Sequence, residues 1–127
     1  MWRMLLGLFL VAHGLIHAAI WATPKSADAP FDAARSWLLN GLGTGAPTVR
    51  TISVVLALIA TLGFVTAGLG LLFHASWWAV VAAGSAAGSF LLIALFFNPW
   101  LIVGLGLEVA IVAGLLVAGW PSRTPLT

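Results

Sequence analysis

Residues 4–22 read MLLGLFLVAHGLIHAAIWA, an apolar run that carries two histidines, His13 and His17, and no charged side chain. A bilayer core of roughly 30 Å needs about 20 apolar residues in helical form. This run therefore reads as a membrane-crossing helix, and it sets the scale on which the rest of the chain is parsed. Arg3 followed by an apolar stretch also resembles a secretory leader. The run continues for nearly 20 residues and shows no small-x-small pattern before Thr23, so a retained helix is the expectation.

Three further stretches match it in length: residues 51–73, 77–97 and 100–119. His74-Ala75-Ser76 separates the second from the third, and Asn98-Pro99 separates the third from the fourth. Both breaks are short and of turn composition, so the last three spans form two tight antiparallel hairpins. The expected fold class is all-α, a single integral membrane four-helix bundle. Residues 23–50 form the one long connection. Within it, Asp32 is placed to cap a short interfacial helix over residues 31–39, with Phe31, Trp37, Leu38 and Leu39 as its apolar side. Gly41, Gly43, Gly45 and Pro47 end that helix, and Arg50 anchors the start of the second span.

Composition agrees with this reading. The chain of 127 residues is 62% hydrophobic and only 6% charged, against about 25% charged in a water-soluble domain. Its principal partner is the lipid bilayer, and seven tryptophans serve as interface anchors. Five basic and three acidic residues are too sparse for a nucleic-acid footprint. The absence of cysteine excludes disulfides, thiolate catalysis and Cys-ligated metal. No nucleophile elbow or P-loop is present, and Gly68-x-Gly70 lies within a span rather than after a strand, so no self-contained catalytic motif is found. The basic residues nearly balance: Arg3 and Arg123 lie on the side of the termini, and Lys25, Arg35 and Arg50 lie in or beside the long connection. We read the termini as cytoplasmic, in a multi-pass protein of a bacterial-type cytoplasmic membrane. In the third span, Gly84-x-x-x-Gly88 and Ser85-x-x-x-Ser89 have the spacing of close helix contacts, read here as packing within the chain rather than as a homodimer seam.

Counting from the membrane side that bears the long connection brings polar residues to one depth. Glu108, the one carboxylate inside a span, lies nine residues beyond Pro99, and His13 lies nine residues before Ala22. Nine residues of helix rise about 13.5 Å, which is near mid-bilayer. Thr61 is ten residues past Thr51, and Ser89 is eight before Phe97. His17 is one turn nearer the long connection, on the same face as His13. His74 belongs to the opposite surface. A carboxylate at that depth costs a few kcal/mol unless it is protonated or paired. The expected site is therefore His13, His17 and Glu108, with Thr61 and Ser89 in the same layer.

Four readings of this site stand side by side. The cluster is a structural clasp; or the polar floor of a site for a quinone or lipid; or a proton or ion relay; or a metal site, with His13, His17 and Glu108 as three ligands. Haem held by two axial histidines fits poorly, because His13 and His17 project from one helix face.

The order Arg3, Gly7, His13-Gly14 in the first span resembles the DoxX-like family of small four-helix membrane proteins. Their first span tends to run Arg, a Gly four residues on, His-Gly and then Lys. The chain departs from that pattern at His17, where the family tends to have Lys, and Glu108 lies outside it. The length, the four spans and the long first connection are also similar. The resemblance implies interest in Arg3, Gly7, His13 and Gly14. It also implies a role beside membrane oxidoreductases that use quinone. The function expected is an accessory or hydrophobic-ligand-binding subunit working with other membrane subunits or as a homo-oligomer. A proton-coupled transporter or channel built from several copies, or a purely structural subunit, are the alternatives.

Overall fold

The computed structural model describes residues 1–117, and all regular structure in them is helical. Four α-helices follow one another: α1 (Trp2–Ala22), α2 (Ala46–Leu72), α3 (Trp78–Leu95) and α4 (Ile102–Val112). The first three are long and apolar enough to cross a membrane. They pack in chain order, α1 on α2, α2 on α3 and α3 on α4. The helix starts match their local chemistry. Pro47 sits in the first turn of α2, where its missing N–H costs no hydrogen bond. The side chain of Asn98 accepts from the Trp100 N–H (2.9 Å) and opens the single 3₁₀ turn Pro99–Leu101 that leads into α4.

Several boundaries differ from those expected. The second helix begins at Ala46, five residues before the expected Thr51, because Gly45 and Pro47 start it rather than merely ending the connection. The fourth expected span is divided between the 3₁₀ turn, α4 and a π-helical turn, Ala113–Val117. Its expected end at residue 119 lies outside the described residues, as does Arg123.

The expected interfacial helix over 31–39 is absent; this segment is a series of turns. Side chains there take the backbone groups a helix would use. The Asp32 carboxylate accepts from the Ala34 N–H (2.9 Å), and the Asn40 side chain accepts from the Ser36 N–H (2.7 Å). Such local bonds compete with helix formation. Longer-range bonds then fix the segment onto the helix ends. The Ser36 hydroxyl donates to the Leu95 carbonyl (2.8 Å), the Trp37 indole to the Ala94 carbonyl (2.7 Å), and the Ser53 hydroxyl to the Ala33 carbonyl (2.7 Å). Phe31, Ala33 and Ser36 are buried, so the connection is a packed roof, not a helix afloat at the surface.

Two apolar clusters bracket the middle of the molecule. One, under the roof, joins Trp21, Phe31, Val49, Leu92 and Phe96. The other, toward the far end, joins Leu10, Phe64, Leu71, Trp78 and Ala86. Glycine makes the closest backbone approach possible. A Cβ on Gly68 would lie 2.7 Å from the Gly7 carbonyl oxygen, and one on Gly14 would lie 3.0 Å from that of Thr61. Helices α1 and α2 therefore cross almost backbone to backbone. The small-residue pattern of α3 behaves otherwise. Gly84 and Gly88 face open space, so the expected packing of this pattern within the chain does not occur at either glycine. The serines of the same stripe do pack within the chain, Ser85 against Gly63 of α2 and Ser89 in the interior.

Candidate functional site

Between the two apolar clusters lies a buried polar centre assembled by three helices. Helix α1 contributes His13 and His17, α3 contributes Ser89, and α4 contributes Glu108. Glu108 is 0% exposed, and the two histidines are 5% and 4% exposed. Glu108 is also the one fully buried residue of α4. A polar group in such surroundings must be bonded, since leaving it bare costs several kcal/mol.

The bonds converge on one carboxylate oxygen. The His13 Nε2–H donates to Glu108 Oε1 (2.9 Å), and the Ser89 hydroxyl lies 2.6 Å from the same oxygen. His17 Nε2 is hydrogen-bonded to Ser89 Oγ and lies 3.2 Å from Glu108 Oε1. The other ring nitrogen of His17, Nδ1, is 3.0 Å from the His13 carbonyl. A carbonyl only accepts, so Nδ1 must carry a proton.

This geometry fixes the number of protons in the centre. With neutral rings and an ionised carboxylate, His13 uses its one N–H on Glu108, and His17 uses its one N–H on the His13 carbonyl. Two contacts remain, His17 to Ser89 and Ser89 to Glu108, and Ser89 has a single hydroxyl hydrogen. One contact would then set lone pair against lone pair. One additional proton satisfies both. Placed on His17 Nε2, it donates to Ser89, which donates to Glu108. Placed on Glu108 Oε1, it donates to Ser89, which donates to His17. In either arrangement the centre is electrically neutral as a whole. That is the form compatible with a low-dielectric interior.

Two buried polar atoms stand outside these bonds. Glu108 Oε2 and the Trp21 indole nitrogen have no hydrogen-bond partner among the described residues. An unmet buried acceptor costs about 1–3 kcal/mol, so Oε2 is available to take one further hydrogen bond.

Aromatic rings wall the centre. Phe9 stacks on His13 (centroids 5.6 Å apart), and Trp21 stacks on His17 (5.9 Å). Phe64 of α2 meets His13 edge-on at 4.8 Å. Phe9, His13, His17 and Trp21 recur every fourth residue on one face of α1. The sequence reading took only the histidines from this row. The i, i+4 spacing was the signal for the other two members.

The expected site residues therefore divide. His13, His17, Ser89 and Glu108 meet. Thr61 lies at the same depth but donates to the backbone carbonyls of Gly14 (2.8 Å) and Ala57 (2.9 Å), and it makes no bond to the cluster. It fixes the α1–α2 crossing instead. Arg3 donates to the Leu71 carbonyl (3.2 Å) near the end of α2, while Gly7 and Gly14 make the close crossing possible. Of the four residues singled out by the first-span pattern, only His13 enters the polar centre. His74 lies in the turn between α2 and α3, away from it, in a left-handed conformation (φ 63°).

The donor atoms of His13, His17 and Glu108 lie within 4.8 Å of one another, close enough for a cation to be shared between them. The larger grooves of the molecule are lined by other residues. No family model matches the chain, and no curated protein or solved structure matches it.

Proposed function

We propose that the chain is a multi-pass membrane protein that holds one proton at mid-depth, on the hydrogen-bonded series His17–Ser89–Glu108–His13. It passes that proton on as a proton-coupled subunit, with its termini on the cytoplasmic side. The observation that carries this reading is the proton count: the contacts of His17, Ser89 and Glu108 need one proton more than neutral rings and a carboxylate supply. Membrane placement is supported by outward faces that are apolar as well, including Leu5, Leu8, Ile59, Leu62, Val80 and Leu91. A helix apolar on all sides belongs in lipid or in a large core. Four short helices enclose a site but not a complete pore, so transfer across the membrane requires several copies or companion subunits.

This reading is preferred to a quinone or lipid seated on the cluster because the cluster lines none of the larger grooves. It is preferred to a purely structural clasp because the contacts of His17, Ser89 and Glu108 call for a proton that can sit at either end of the series. The DoxX-like pattern of the first helix adds little to the choice, since three of its four residues serve helix packing.

Reconstitution into liposomes with an imposed pH gradient tests the reading. The parent protein is expected to dissipate the gradient, and Glu108→Gln to abolish the flux. Ser89→Ala should slow it about tenfold, the value of roughly one hydrogen bond. Ser85→Ala, whose hydroxyl bonds only to the Val81 carbonyl of its own helix, should match the parent. A parent no faster than empty vesicles, or equal flux through Glu108→Gln, contradicts the relay. Stoichiometric metal in the purified protein would show that the shared cation is not a proton.

A further inference from the structure

A groove of about 810 Å³ lies at the roof end of the molecule, and none of the polar-centre residues lines it. Its lining brings together two cations, Lys25 and Arg35, with Trp37, Phe97, Asn40 and Asp32. Neither cation takes part in an ion pair among the described residues. The Asp32 carboxylate is engaged by the Ala34 N–H. Trp37 is 68% exposed yet fixed in place, because its indole N–H donates to the Ala94 carbonyl near the end of α3. Phe97 and the nearby Trp100 are likewise exposed.

This groove lies where α1 and α3 end and α2 begins, which is the level of the lipid headgroups if these helices cross the bilayer. Tryptophan is enriched at that level because its ring is apolar and its N–H polar. Basic side chains near a membrane surface attract anionic headgroups; with the termini cytoplasmic, the headgroups concerned are those of the opposite leaflet. A phosphodiester headgroup offers negative charge to Lys25 and Arg35, and its acyl chains lie against Trp37 and Phe97. Free phosphate would use the cations and leave the aromatic rim without a role.

We infer that this groove binds the headgroup of an anionic phospholipid, held by Lys25 and Arg35 and flanked by Trp37 and Phe97. The inference rests on the membrane reading of the helices, and the experiment separates the two. The parent and a Lys25→Gln/Arg35→Gln variant are first tested for resistance to alkaline extraction from membranes. Extraction of the parent would overturn the membrane reading itself. The proteins are then placed in phosphatidylcholine nanodiscs with increasing phosphatidylglycerol. The Trp37 contribution to fluorescence is isolated by subtracting a Trp37→Phe variant.

The parent should show a saturable response to phosphatidylglycerol. Each near-surface charge contributes about fivefold in affinity, so the double variant should bind roughly 25-fold more weakly. Arg35→Lys retains the charge and should stay within a few-fold of the parent, which separates loss of charge from loss of folding. An equal response in the double variant overturns the site. A response of the parent to inorganic phosphate alone, in phosphatidylcholine, overturns its assignment to a lipid.

Discussion

Glu108→Ala is expected to be the most destabilising single substitution in the polar centre, lowering the free energy of unfolding by about 3–5 kcal/mol, the usual cost of removing one partner from a buried, charge-bearing set. The size follows from how the carboxylate is used. Oε1 alone receives His13 and Ser89 and lies 3.2 Å from His17. Without it the His13 N–H and the Ser89 hydroxyl both lose their acceptor in a buried site, and a proton on His17 Nε2 would have no counter-charge. The effect has a tertiary side as well. Helix α4 packs chiefly on α3, and Glu108 is its bonded link to α1. Its neighbours Val103 and Val109 are exposed and hold nothing in the interior. Thermal or denaturant unfolding in mild detergent reads the difference. Glu108→Gln keeps an acceptor for His13 and should cost much less, while still losing the proton. A Glu108→Ala variant as stable as the parent would show that the contacts of Oε1 carry little of the fold.

Gly68→Ala should be costly for a different reason. The added methyl would stand 2.7 Å from the Gly7 carbonyl oxygen and 3.1 Å from the Val11 backbone nitrogen. These are backbone atoms, so no rotamer change relieves the contact, and the two helices must separate. Overpacking of this kind costs about 1–3 kcal/mol. Separation would also loosen the Thr61–Gly14 bond and move the face that carries His13 and His17. Loss of proton flux should therefore accompany loss of stability. Gly84→Ala is the matched control: nothing lies within 4 Å of its added methyl. Better helix propensity should leave that variant neutral or more stable by up to about 1 kcal/mol. Equal behaviour of the two variants in unfolding would contradict the close α1–α2 crossing.

How much of this was legible in sequence depended on what fixes each feature. The meeting of His13 and Glu108 could be read by counting, because His13 lies on one unbroken helix and only a single 3₁₀ turn stands between Pro99 and the helix of Glu108, so helix rise converts residue number to level. Thr61 shows the limit of that method. It stands level with Gly14, beside His13, but the direction of its hydroxyl is set by how α2 rotates against α1, and that rotation is governed by the glycine contacts. The roof was misread because its sequence has an amphipathic pattern that the tertiary bonds override. Ser36 and Trp37 reach Leu95 and Ala94, nearly 60 positions away, and no local pattern reports such partners. The α3 stripe divides for a similar reason: Ser85 and Ser89 pack within the chain, on Gly63 and on the polar centre, while its glycines do not. Spacing says that Gly84 and Gly88 share a face, but not whether another helix covers it.

Nuclear magnetic resonance on protein labelled at histidine nitrogen and glutamate carboxyl carbon, reconstituted in lipid, counts the protons of the polar centre. The side chains of His17 and Glu108 together are predicted to carry two protons. One is the His17 Nδ1 proton bonded to the His13 carbonyl; the other is shared through Ser89. It should be visible either as a doubly protonated ring or as a neutral carboxyl, and it should be absent from Glu108→Gln. A singly protonated His17 beside an ionised Glu108 in the parent protein would contradict the account.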